Sequence, residues 1–323
     1  MKELIKNIAT FISRNIANTI LKPLNIFIIY RFGKAIGDQV CMSAAVKALK
    51  KQKGYKVIVF SSYPEIFYNN PNVYKNVDIQ NYTNFLKKMI SRLLDISKGG
   101  QIENFRFSTK EGKGFEDFMR ESKAKISLIE AHSKHFKVKL DLKDAKPQIY
   151  FSDEEIEEFS KKFEFLKDFA IIQPVGKTTY TPNKEWGFEK YQEVVNKTKD
   201  KINWVQVGLE NEKLLENVID LRGKTESLRE LAFVIKKANF VLANEGLLNH
   251  LAAAVGTKSF VVFSGFSQVE LAKYDTTIAI VKNPQVECAP CWLLEKCPKE
   301  RKWCTEGVLV EDVVEIITKE LNI

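Results

Sequence analysis

Long uninterrupted apolar runs are missing from this chain of 323 residues, so no segment reads as a membrane-spanning helix. Low-complexity tracts are missing too. With 45% hydrophobic and 28% charged residues the chain is expected to fold throughout. No compact arginine-rich patch or nucleic-acid motif accompanies the net charge of +9. The resulting positive field suits nucleotides, phosphorylated glycans or anionic lipid headgroups, and no nucleic-acid partner is expected. Cysteine is scarce: Cys41 stands alone and the other four lie between Cys288 and Cys304, which excludes a disulfide framework spread through an exported protein. The glycine spacing after the first apolar run is not that of a dinucleotide fingerprint, and the Walker lysine pattern is absent. Nicotinamide chemistry and ATP hydrolysis therefore have no support.

What is present reads as alternating strands and helices. The first two dozen residues place Leu4, Ile5, Ile8, Phe11, Ile12, Ile16, Ile20 and Leu21 at near-helical spacing, interrupted by Asn7, Arg14 and Asn18. This amphipathic helix either lies on an anionic membrane leaflet or packs on the domain. Asn25 to Tyr30, a glycine loop with Gly33 and Gly37, an alanine-rich helix to Leu49 and a second apolar run from Lys56 to Ser61 form a βαβ unit. Helical spacing recurs over Phe85 to Ile96 and Ala124 to Phe136, with a polar, mobile loop expected between them. Ser152 followed by the carboxylates of Asp153 to Glu155 marks a helix start.

A second βα series runs through strands at Phe169–Gln173, Asn203–Val207, Phe240–Ala243 and Ser259–Phe263. Helices are expected from Phe188, over Ser227–Lys237 and Leu248–Val255, and finally over Val310–Leu321. The fold class is thus α/β, with two Rossmann-like domains of mainly parallel strands, 1–160 and 161–323. In such sheets ligands gather beyond the carboxyl ends of the strands, here at the loops of Gly33, Gly176, Gly208 and Gly246.

Several residues at those ends could carry chemistry. Asp38, at the start of the first helix, is either a helix cap or a general base. Backbone N–H groups of Gly246, Leu247 and Leu248 open another helix and could cradle a diphosphate. His250 either donates to phosphate or packs and caps that helix. Thr178 and Thr179 fit phosphate contact or a plain turn. Cys288, Cys291, Cys297 and Cys304 include a C-x-x-C pair and could supply a tetrahedral thiolate site for zinc or iron, or remain four reduced thiols. A metal there would be structural, because four thiolates leave no position for substrate.

Arg31 with Gly37-Asp38, Asn70-Pro71-Asn72-Val73, Asn183-Lys184-Glu185-Trp186, Asp220-Leu221-Arg222-Gly223-Lys224-Thr225, and Asn244-Glu245-Gly246 with His250-Leu251-Ala252 follow one another in order. Together they resemble glycosyltransferase family 9, the bacterial heptosyltransferases. The resemblance implies a GT-B fold of two facing domains, nucleotide-sugar binding mainly by the second, acceptor binding by the first, and inversion at the anomeric carbon. It implies Asp38 as the base and Lys184 as the cation steadying the leaving phosphate, with Thr178, Thr179, Lys184, Glu245, Gly246, Leu247, Leu248 and His250 at the donor. Glu245 and Gly246 stand where the family commonly has aspartate and serine. No cofactor is required by this chemistry; iron is known at a cysteine cluster of protein-modifying relatives.

The expected function is transfer of a sugar, a heptose from ADP-heptose, to an acceptor hydroxyl in lipopolysaccharide, lipooligosaccharide, capsule or glycoprotein assembly. Expected partners are that donor and a glycan, lipid-linked or protein acceptor. The location expected is the cytoplasm, with peripheral contact at the inner membrane. Alternatives are another GT-B activity, such as an epimerase, or a noncatalytic nucleotide-sugar or glycan-binding protein of the same fold.

Overall fold

A computed structural model describes residues 13–79, 82–107, 114–134, 136–140, 145–176, 180–283 and 285–322. The short apolar runs become two wholly parallel sheets, one of four strands and one of six. The chain divides into two units: 1–108 with 128–152, and 109–127 with 153–323.

The first unit opens with helical turns at 13–21 (α1). It continues through β1 (Ile26–Arg31), α2 (Ile36–Lys53), β2 (Lys56–Ser61), β3 (Val73–Val77), α3 (Asn84–Ser97) and β4 (Ile102–Asn104). The chain then lends α4 (Phe115–Ser122) to the second unit and returns with α5 (Leu128–Ser133). Strand order is β3-β2-β1-β4, so β1 is central and its Phe27, Ile29 and Tyr30 are fully covered. Helix α2 covers the sheet with Val40, Cys41, Met42, Ala44, Ala45 and Leu49. It stops at Gly54, whose φ of 67° lies in the left-handed region that glycine adopts without cost. Truncating a core side chain such as Ile29 to alanine would cost about 2–5 kcal/mol.

The second unit holds α6 (Asp153–Lys162), β5 (Phe169–Gln173), α7 (Phe188–Thr198), β6 (Asn203–Gln206), β7 (Ile219–Asp220), α8 (Leu228–Lys237), β8 (Val241–Asn244), α9 (Leu247–Val255), β9 (Ser259–Val262), β10 (Thr277–Ile280), α10 (Trp303–Glu306) and α11 (Val310–Leu321). Its strand order is β10-β9-β8-β5-β6-β7. Ala170, Ile172, Trp204, Leu242, Phe260 and Val262 build one layer of the core, closed by Tyr191 and Val194 of α7 and Val313 and Ile317 of α11. Ser227 caps α8 by accepting from Glu230 N at 3.1 Å.

Three expectations change. The stretch read as a mobile loop contains α4, which belongs to the second unit because Phe115 packs edge-on against Trp292 and Gln268 Nε2 donates to Met119 O at 3.2 Å. The helix expected over Ala124 to Phe136 is shorter: Lys123 turns left-handed at φ 48° and helix resumes only at Leu128. Sequence reading placed α6 in the first domain, whereas its Glu155 pairs with Arg229 of α8 and its Phe159 packs on Phe233 in the second unit. No helix among the described residues is long and apolar enough to cross a membrane.

Candidate active site

In each unit the site residues stand where neighbouring strands send their connections in opposite directions, the position at which open parallel sheets receive ligands. In the first unit this point lies between β1 and β4. Beyond β1 the chain turns through Gly33, whose φ of 112° requires glycine. Gln39, fully buried, pins this turn: its Nε2 donates to Gly33 O at 3.0 Å, and its Oε1 accepts from Ser61 Oγ at 2.5 Å and Ser62 N at 2.9 Å. Asp38 follows in the first turn of α2, where a carboxylate is favoured by the helix dipole.

Asp38 is approached on one oxygen by a guanidinium and an imidazole. Arg31 Nη2 donates a short hydrogen bond to Oδ2, and Nε2 of the buried His132 stands 3.6 Å from that same atom. Burial by itself would raise the acid's pKa, but the imidazole of His132 and the guanidinium of Arg31 hold its carboxyl well below the usual carboxylate range. Helix α5 carries His132 against α2, and the ring packs on Phe105 with centroids 5.2 Å apart. Sequence reading missed His132 and Gln39, since neither periodicity nor spacing links them to Asp38.

In the second unit the divergence lies between β5 and β8, and Asn244 closes it. Its Nδ2 donates to Pro174 O at 3.2 Å, while its Oδ1 accepts from Trp186 N and Tyr191 Oη, each at 3.0 Å. Glu245 follows, and its Oε2 lies 2.5 Å from Lys184 Nζ, which projects from the short 3-10 turn Pro182–Lys184. The ammonium also stands over the rings of Phe266 and Tyr180, 5.1 and 5.4 Å from their centroids. An ammonium has three donors; one carboxylate leaves it able to meet diphosphate oxygens as well.

Gly246, Leu247 and Leu248 supply the uncapped start of α9, whose first N–H groups have no partner within the helix. The Leu248 side chain itself is buried core. His250 is also buried, and its Nδ1 shares a 2.6 Å hydrogen bond with Tyr274 Oη, which gives the ring a packing and bonding partner within the domain. Thr178 and Thr179 lie outside the described residues. The Asp220 to Thr225 motif is structural: Arg222 clamps Asp220 through Nε at 2.8 Å and Nη2 at 3.1 Å.

Cys291, Cys297 and Cys304 are half-buried, Cys288 is exposed, and all four thiols are free. Burial, and secondarily the neighbouring Cys304, Cys288 and Cys297, push the Cys291 thiol up. The soft donors suit zinc or iron. Among the described residues, however, no three His, Cys, Asp or Glu side chains are gathered as a ligand group, so no chemical step is routed through a metal.

The sequence model of glycosyltransferase family 9 (heptosyltransferase) matches residues 123–302, more than half of the chain. The chain belongs to that family and is a glycosyltransferase. Among solved structures it resembles the ADP-heptose lipopolysaccharide heptosyltransferase II of E. coli, with a TM-score of 0.61 and 13% identity over 92% of this chain and 99% of that one. A glycosyltransferase family 9 protein of Veillonella parvula gives 0.60 and 15% over 91% and 96%. The iron-containing dodecameric glycosyltransferase TibC of enterotoxigenic E. coli gives 0.59 and 14% over 92% and 77%. These likenesses establish the GT-B class of the fold. No curated protein matches the chain.

Proposed function

We propose that the chain transfers a heptose from ADP-heptose to an acceptor hydroxyl, inverting the anomeric carbon. The observation that carries this reading is Lys184, held by Glu245 at the point where the strands of the second sheet diverge. One similar structure, that of TibC, holds ADP-D-β-D-heptose. The acceptor oxygen attacks the anomeric carbon as the bond from that carbon to the diphosphate oxygen breaks. The bonding electrons leave with the diphosphate, whose new charge the Lys184 ammonium and the first N–H groups of α9 stabilise.

The acceptor's proton passes to Asp38. Because its carboxylate is ionised throughout the neutral range it always offers a lone pair, and as a weak base it takes the proton only as the new C–O bond makes the hydroxyl acidic. Nucleoside diphosphate release from a panel of nucleotide sugars tests the donor. Selective release with ADP-heptose supports the reading, and failure of every nucleotide sugar to bind would sink it. Binding without transfer to any supplied glycan, lipid-linked or protein acceptor would favour the noncatalytic reading.

The proposal places this chemistry in the cytoplasm at an anionic membrane surface. Helix α3 supports it: Phe85, Leu86, Met89 and Leu93 are exposed, and Lys87, Lys88 and Arg92 flank them. Flotation with anionic but not neutral vesicles is expected. For the four thiols we propose a structural zinc or iron ion, checked by elemental analysis of the purified protein before and after chelation.

A further inference from the structure

The thiol-bearing segment and the lysine turn are joined by a dense set of bonds. Asn183, adjacent to Lys184 and only 4% exposed, uses its whole amide on that segment. Its Nδ2 donates to Leu293 O and Glu295 O, both at 2.7 Å, and its Oδ1 accepts from Cys297 N at 3.1 Å. Thr181 Oγ1 donates to the same Leu293 O at 2.9 Å and accepts from Asn183 N at 3.1 Å, which fixes the turn from both ends. Lys302 Nζ adds a bond to Pro182 O at 3.3 Å.

A second route runs through rings. Phe266, beneath the Lys184 ammonium, packs on Trp292 with centroids 5.1 Å apart. Trp292 N donates to Phe266 O at 2.9 Å, and Cys291 N donates to Gly265 O at 2.9 Å. Trp292 is buried, and its Nε1 donates to Gln268 Oε1 at 3.1 Å. Both faces of the lysine's support, the turn below its backbone and the ring below its ammonium, therefore rest on residues 291–297.

We propose that residues 288–304 are the backing of Lys184: Asn183 is a positioning residue for transfer, and the chemical state of the thiols is felt at the ammonium. A covalent change at Cys297 or Cys291 moves the backbone that Asn183 and Phe266 hold, and the lysine loses its setting against Glu245. As a role in transfer this rests on Lys184 serving the diphosphate. The mechanical coupling itself does not, and it can be measured without donor or acceptor.

The test is the rate at which Lys184 is acetylated by an exposed-amine reagent, read by mass spectrometry. It is measured in the wild-type chain, in the same chain with its four thiols alkylated by iodoacetamide in the presence of EDTA, in Asn183→Ala, and in Asn183→Ala after alkylation. Alkylation and Asn183→Ala should each speed labelling roughly threefold to tenfold, the scale set by a few buried hydrogen bonds. Combined they should do no more than one alone, because both break the same support. Thr181→Val, which keeps the backbone and most of the packing, should give a smaller rise in the same direction and serves should Asn183→Ala unfold.

Unchanged labelling in all samples, or effects that multiply, would overturn the coupling. In the transferase assay Asn183→Ala should lower kcat while leaving acceptor KM in place. Normal wild-type turnover with unresponsive labelling sinks only the coupling; responsive labelling with no turnover from any nucleotide sugar leaves the coupling standing and removes the transferase reading.

Discussion

The two sheets hold their reactive groups by opposite means. Beyond β1 a carboxylate is held through one oxygen by the guanidinium of Arg31 and faced there by the imidazole of His132. Beyond β5 a lysine meets one carboxylate, Glu245 from beyond β8, and is otherwise steadied by aromatic faces and by a backbone clasp. The first arrangement fixes a protonation state, while the second fixes a position and leaves donors to spare. That division matches the roles proposed for the two groups: a base must be ionised before the reaction, and a leaving-group cation must be in place when charge appears.

The largest effect that could break this comparison is Asp38→Asn. Turnover should fall about 10²–10⁴-fold, with donor affinity unchanged in calorimetry. Loss of donor affinity would mean that Asp38 holds the site together and takes no proton.

Next comes Lys184→Ala, expected to cost about 10²–10³ in kcat. It also strands the buried Glu245 carboxylate, so the melting temperature should drop, and adding Glu245→Gln should restore stability without restoring turnover. Recovery of both would show that the pair is purely structural.

His132→Gln sharpens the contrast. Without the imidazole the Asp38 carboxyl rises toward its ordinary range, so the acid limb of the kcat/KM profile moves to higher pH. A profile that does not move would leave Arg31 alone in charge of Asp38. Stability follows the same sign. The lowered folded pKa of Asp38 contributes stability that is present above the unfolded value of 3.8 and lost as pH falls through the folded value. In acid titrations monitored by circular dichroism, Asp38→Asn should therefore match the wild type more closely at pH 2 than at pH 6.

The smallest effect concerns Glu103 on β4, a carboxylate in the same unit with the opposite shift. Burial pushes it up to about 7, only partly offset by Lys98, Arg14 and Lys137. Its raised folded value means stability falls as pH rises from about 4.5 to 7. Glu103→Gln should thus raise stability by about 1–3 kcal/mol at pH 8 and change little at pH 4. Equal effects at both pH values would mean that the group titrates normally.

The strand, glycine loop and helix that carry Asp38 were legible because they are contiguous, and so were Glu245 and the start of α9. Long central strands advertise themselves as apolar runs; β3, with two exposed residues and none buried, and the short β4 and β7 do not. His132 and the bonds from Asn183 to 293–297 were hidden for a different reason. They join residues distant in sequence, and nothing in the local pattern of Leu128 to Ser133 or of the cysteine segment names its partner. Helix α4 was taken for loop because it is only eight residues long and its apolar face finds its partner, Trp292, far along the chain.

Arg31 is the last residue of β1, and its neighbours in register are Ser61 on one side and, one step earlier, Asn104 opposite Tyr30 on the other. One of the two groups that hold the Asp38 carboxyl low is thus mounted at the end of the central strand β1, where its pairing with β2 runs out. The proposed base is therefore expected to keep its guanidinium partner while loops breathe, with slow amide exchange at Tyr30 and Arg31 as the check. In this sense the acid–base state proposed for Asp38 is anchored in the sheet and not in the loops around it.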